Sequence, residues 1–119
     1  MKYLILIITL LSININQETD KLNGRYNYLI EEDNIYNQRD KITFKDSVFV
    51  FDSKYMPKGK ISYGNVILLE NFINQDLIIS IPKDQIKKDT IPFYMHDKHS
   101  SAAHYLDEVV GKGKLIRIK

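Results

Sequence analysis

Cysteine and tryptophan are both absent from the 119 residues, and proline (3), histidine (3) and glycine (5) are scarce. Without cysteine no disulfide can staple the fold, so its stability has to come from an apolar core. The same absence excludes a lipid carried on cysteine at a processed N-terminus. No apolar run reaches the ~20 residues that a membrane-crossing helix needs. Internal repeats, heptads, low-complexity tracts and Asn-x-Ser/Thr sequons are missing as well. So are the Gly-x-Ser-x-Gly elbow, the His-Glu-x-x-His pair and the phosphate-binding loop that would announce a hydrolase, a metalloprotease or a nucleotide site. Gly111-Lys112-Gly113-Lys114 lacks the spacing and the Ser or Thr of that loop, and is read as a turn before a last strand.

What is present begins with an address. Met1-Lys2 leads into the short apolar run Tyr3 to Leu11, and polarity then rises through Ser12-Ile13-Asn14-Ile15-Asn16-Gln17. A positive start, a short apolar centre and a polar exit make a signal peptide over residues 1–17, with cleavage expected between Ser12 and Gln17. The product, residues 18–119, is expected to be one domain that is secreted or periplasmic and has no stable membrane insertion after processing. About 100 residues suffice for one core and not for two. The whole chain carries 17 basic and 15 acidic side chains. Loss of Lys2 with the leader leaves them nearly balanced, which argues against nucleic acid as a partner, since that needs a concentrated basic surface.

Past the leader, β-branched and aromatic residues come in eight short bursts between Asn, Asp, Gly and Lys clusters. They run over 22–30, 41–44, 47–51, 60–63, 66–69, 77–81, 90–95 and 114–118. Glu31-Glu32-Asp33-Asn34 breaks the first from the second, Lys45-Asp46 suits a two-residue hairpin, and Gly64-Asn65 suits a type II′ turn. Pro82 ends a strand, and residues 83–89 have room for one helical turn. Residues 96–113 form the longest stretch without strand pattern, with a short helix expected from Ser100 through Tyr105 and Leu106. Short turns without a long amphipathic helix predict an all-β, mainly antiparallel fold: a small meander barrel or a partial barrel, preceded by the signal helix.

The opening Leu22-Asn23-Gly24-Arg25-Tyr26 resembles the first strand of lipocalin-like, calycin-type proteins, in which Gly-x-Trp closes one end of the barrel. Here Tyr26 stands in the tryptophan's place. The resemblance implies that Arg117, on the last strand, packs over that ring. It further implies a scaffold that holds a ligand or a partner, without saying which.

Candidate sites follow from residue types. His96, His99 and His104 gather all the imidazoles in one segment near Asp107 and Glu108, a donor set suited to zinc or a related divalent metal. Ser100 or Ser101 with these histidines and Asp97 or Asp107 has the components of a nucleophile and base, but sequence neighbours seldom meet in that geometry. Tyr36, Tyr55 and Tyr105 fall in or near expected loops, where a ring with a polar tip suits ligand or partner contact. Phe44, Val50, Ile61, Leu68 and Ile79 are candidates to line a barrel interior. The function expected is an exported, non-enzymatic binding domain with no cofactor, holding a small ligand or a protein partner. The alternative is an inhibitor or immunity-type protein that binds a toxin or enzyme, and a metal-dependent enzyme built on the histidine segment comes third.

Overall fold

A computed structural model describes residues 21–54, 58–70, 76–100 and 104–119. The expected signal peptide, Tyr55 and Ser101 lie outside these described residues. Eight strands follow in order: β1 (Asn23–Glu32), β2 (Ile35–Lys45), β3 (Val48–Phe51), β4 (Gly59–Tyr63), β5 (Ile67–Leu69), β6 (Leu77–Ile81), β7 (Thr90–Asp97) and β8 (Gly111–Arg117). Each pairs antiparallel with the next, and β8 pairs back onto β1, so the sheet closes into a meander barrel. Of the alternatives open to the sequence, the closed barrel is the one formed.

Alternation along the strands fills the barrel. Tyr26 and Tyr28, Ile42 and Phe44, Phe49 and Phe51, Ile67 and Leu69, and Ile91 and Phe93 all point inward and are buried. The Tyr28 ring stacks on Phe93 at 5.1 Å between centroids and meets Phe51 edge-on at 5.3 Å, while Tyr26 meets Phe44 edge-on at 5.5 Å. Such ring pairs add ~0.5–1.5 kcal/mol each beyond the area they bury. Two of these rings depend on glycine. Phe93 faces Gly113 across β7 and β8, and Phe49 faces Gly59 across β3 and β4. A Cβ on Gly113 would lie 2.3 Å from the Phe93 ring and 2.1 Å from the Leu29 carbonyl oxygen, so only glycine lets ring and strand approach this closely.

Several local expectations are corrected by the register. Asp33 and Asn34, with φ of 53° and 66°, make a two-residue type I′ turn, and β2 starts at once after it rather than at Lys41. The next hairpin turns at Asp46-Ser47, one residue later than Lys45-Asp46, with Asp46 at a φ of 52°. The loop between β4 and β5 has three residues, Gly64 to Val66, and Gly64 does not adopt the positive φ that a type II′ turn requires. Of the residues expected to line the interior, Phe44, Ile61 and Ile79 do so; Val50 is exposed on the outside and Leu68 is half-buried on the outside. The helical turns at 83–85 and 105–107 are short 3-10 turns.

Candidate functional site

The two ends of the barrel differ. At one end Leu22 and Ile86 are buried against the core. The guanidinium of Arg117 lies over the Tyr26 ring, 4.9 Å from its centroid, and is steadied by the Ile86 carbonyl and the Asp89 carboxylate at 3.5 and 3.7 Å. Tyr63 contributes a hydroxyl that accepts from the Leu22 N–H at 3.0 Å and donates to the Asp46 carbonyl. Burial pushes the phenols of Tyr26, Tyr28 and Tyr63 above their ordinary value, because a phenolate there would lose its water.

At the other end the β1–β2 hairpin runs past the barrel, and residues 32–39 are exposed on both faces. Tyr36 sits on this overhang. Its ring lies under the Lys114 ammonium at 4.2 Å, and a hydrogen bond to the Glu31 carboxylate raises its phenol pKa, with lesser contributions from burial and the Glu31 charge. Tyr36 is thus on the surface. Tyr105 begins a 3-10 turn between β7 and β8, and its side chain is outside what the structure describes.

The three histidines go separate ways. His96, on β7, turns away from the interior and is nevertheless only 2% exposed. Its Nδ1 lies 2.9 Å from the Glu108 carbonyl, which can only accept, so Nδ1 donates. Nε2 therefore accepts from the Ser80 hydroxyl, 2.7 Å away on β6. His99 is exposed and pairs with Asp76 at 2.8 Å. His104 is exposed and its Nδ1 accepts from the Leu106 N–H at 3.2 Å. Among the described residues, no three of His, Asp and Glu converge as a metal site requires.

Sequence reasoning missed Ser80. It lies two rungs diagonally from His96, because Ile78 faces His96 and Ser80 faces Tyr94. The arrangement of hydroxyl, imidazole and carbonyl has the connectivity of a nucleophile, a base and its orienting group. With Ser80 9% and His96 2% exposed, a substrate does not reach it. The contact of His96 with the Glu108 carbonyl ties the segment before β8 to the outer face of β7.

Open surface lies on β2 and β3. A crevice of about 270 Å³ is lined by Thr43, Lys45, Val48, Val50 and Asp52. Beside it, a wider cleft of about 480 Å³ is lined by Gln38, Arg39, Asp40, Lys41 and Asp52. Val48 and Val50 are 44% and 40% exposed, so an apolar strip stands between Lys45 and the Asp52 carboxylate that Arg25 engages. Regular outward alternation would have put polar residues here, and the two valines are the departure. A small closed barrel of this kind is compatible with a binding domain. Compared with known proteins, the chain matches no family model, no curated protein and no solved structure.

Proposed function

We propose that the chain is an exported, non-enzymatic binding protein whose partner is another protein, held on the outer surface of β2 and β3 rather than inside the barrel. The observation that carries this is a contrast in packing. The interior is filled by stacked and edge-on rings, while Val48 and Val50 stand outside in a crevice between Lys45 and Asp52. An apolar centre with a charged rim is the usual anatomy of a protein contact. The stacking of Arg117 on Tyr26 supports the lipocalin-like reading of the scaffold. Within this proposal the inhibitor or immunity-type role is the version in which the partner is a toxin or an enzyme.

The test is site-specific photo-crosslinking in the envelope of the host. A photoreactive side chain at Val50 is expected to capture one discrete protein, and the same group at Asn65, on the β4–β5 turn, is not. Val48→Asp should abolish the adduct while leaving far-UV circular dichroism unchanged. Equal capture at both positions, or stoichiometric small apolar ligand in the purified protein, overturns the proposal.

A further inference from the structure

Among the described residues, β3 covers β2 only from Ile42 to Lys45, so the outer edge of β2 has no strand beside it between Ile35 and Asp40. Which backbone groups that edge presents follows from the register. Glu32 and Ile35 flank a two-residue turn and form a hydrogen-bonded pair. Antiparallel ladders alternate, so Glu31 and Tyr36 form a non-hydrogen-bonded pair, and the N–H and C=O of Tyr36 face away from β1. Gln38, opposite Leu29, repeats this orientation. Arg39 is the extra residue of a bulge, and beyond it the Lys41 carbonyl accepts from the Asp52 N–H at 3.0 Å, where the chain covers its own edge again. The open edge is therefore two residues, Tyr36 and Gln38, each offering one donor and one acceptor.

We propose that this edge pairs with the same edge of a second copy, joining two barrels through one antiparallel ribbon. Symmetry selects the register. A two-fold axis normal to the sheet keeps each residue on its own face, so facing residues must be separated by an even number of positions. Centred on Asn37, the register sets Tyr36 of each copy opposite Gln38 of the other, and all four outward groups of each copy are bonded. Centred on Gln38, it sets Tyr36 against Asp40, whose N–H the bulge directs toward Tyr28. Centred on Tyr36, it sets Gln38 against the turn residue Asn34. Only the first uses the whole edge.

Two further features fit that register. Ile35, 62% exposed, comes to lie opposite Arg39 of the second copy, whose aliphatic stem covers it. Beyond the bulge, the Asp33-Asn34 turn of the second copy comes beside the 480 Å³ cleft, whose lining carries Arg39 and Lys41 together with Asp40 and Asp52. A strand of unrelated sequence would satisfy the edge but would not pair each Tyr36 with a Gln38 and end in a two-residue turn beside the cleft. This assembly is independent of what Val48 and Val50 bind.

The absence of cysteine makes the test clean, since an introduced thiol is the only one. In the Asn37-centred register the two Asn37 residues form a non-hydrogen-bonded pair about 4.5 Å apart at Cα, within the range a disulfide spans. The protein purified as its host makes it is expected to sediment at twice the monomer mass as its concentration rises toward the millimolar range. Asn37→Cys should oxidise to a covalent dimer at least tenfold faster than Asn65→Cys. Gln38→Pro removes one outward N–H without touching the β1 ladder, so it should keep the circular dichroism spectrum and raise the dissociation constant at least tenfold. Monomer at every concentration, a larger assembly, or equal crosslinking at positions 37 and 65 overturns the proposal, and the crosslinking comparison decides the matter even if the proline variant does not fold.

Discussion

The closed end of the barrel and the overhanging end are made from the same two strands, and they put aromatic residues to opposite uses. At the closed end Tyr26 is fully buried, meets Phe44 edge-on and carries the Arg117 guanidinium on its other side. Ten residues later Tyr36 is exposed and makes its contacts, with Lys114 and Glu31, on the outer face. One end is held by packing and the other by the ladder between β1 and β2 with surface contacts such as Lys114 on Tyr36. Stability should therefore concentrate near Tyr26, and the overhang should be free to serve contacts.

The comparison breaks most visibly at Tyr26. Tyr26→Ala removes a ring from the core and is expected to cost about 4 kcal/mol, in the range for large aromatic deletions, with a matching fall in the urea midpoint. On the outer face of β6 and β7, Ser80→Ala leaves the buried His96 Nε2 without its donor. The expected loss is about 2 kcal/mol, together with faster amide exchange in residues 104–110, which the Ser80-His96 pair holds down. Alkaline titration sharpens the contrast further. Tyr26, Tyr28 and Tyr63 have phenol pKa values raised by burial above the ordinary 10.0, so the unfolded chain gives up these protons first. Their contribution is intact below about pH 10 and is lost as pH climbs from there toward the raised folded values. Denaturation midpoints should fall over that window, and Tyr28→Phe should flatten the slope. The smallest effect belongs to the overhang: Tyr36→Ala should leave the thermal midpoint where it is, and a large drop there would show that the hairpin supports the core.

Much of this architecture was legible because burial imposes a period of two on strands. Each of the eight bursts falls on one of the eight strands, and short turns without a long amphipathic helix imply their antiparallel pairing, whereas closure is one of the alternatives the sequence leaves open. What escaped was the part that burial does not pattern. Ile35 to Asp40 belong to β2 but are exposed on both faces or nearly so, and Asn37-Gln38-Arg39-Asp40 carries no alternation from which to read a strand. Val50 was assigned inward because it is apolar, yet its neighbours Phe49 and Phe51 hold the inward positions and leave it outside. The histidines show the limit most clearly. Proximity in sequence put His96, His99 and His104 together, whereas strand direction and turn geometry send each to a different partner. Ser80, the partner of His96, is sixteen residues away and is brought to it by cross-strand register, which a single sequence does not display.

The seam of the barrel has a consequence for how the chain reaches its final form. Tyr26 lies opposite Arg117, and the Ile118 N–H is donated to the Arg25 carbonyl, so the earliest strand is sewn to the latest. Until residues 111–118 have emerged, β1 and β7 each present an unmated border, and nothing made earlier can take the place of β8. Such long-range closure is slow and leaves adhesive borders waiting. Closure of the barrel thus waits on residues 111–117, the one ribbon that mates with both β1 and β7.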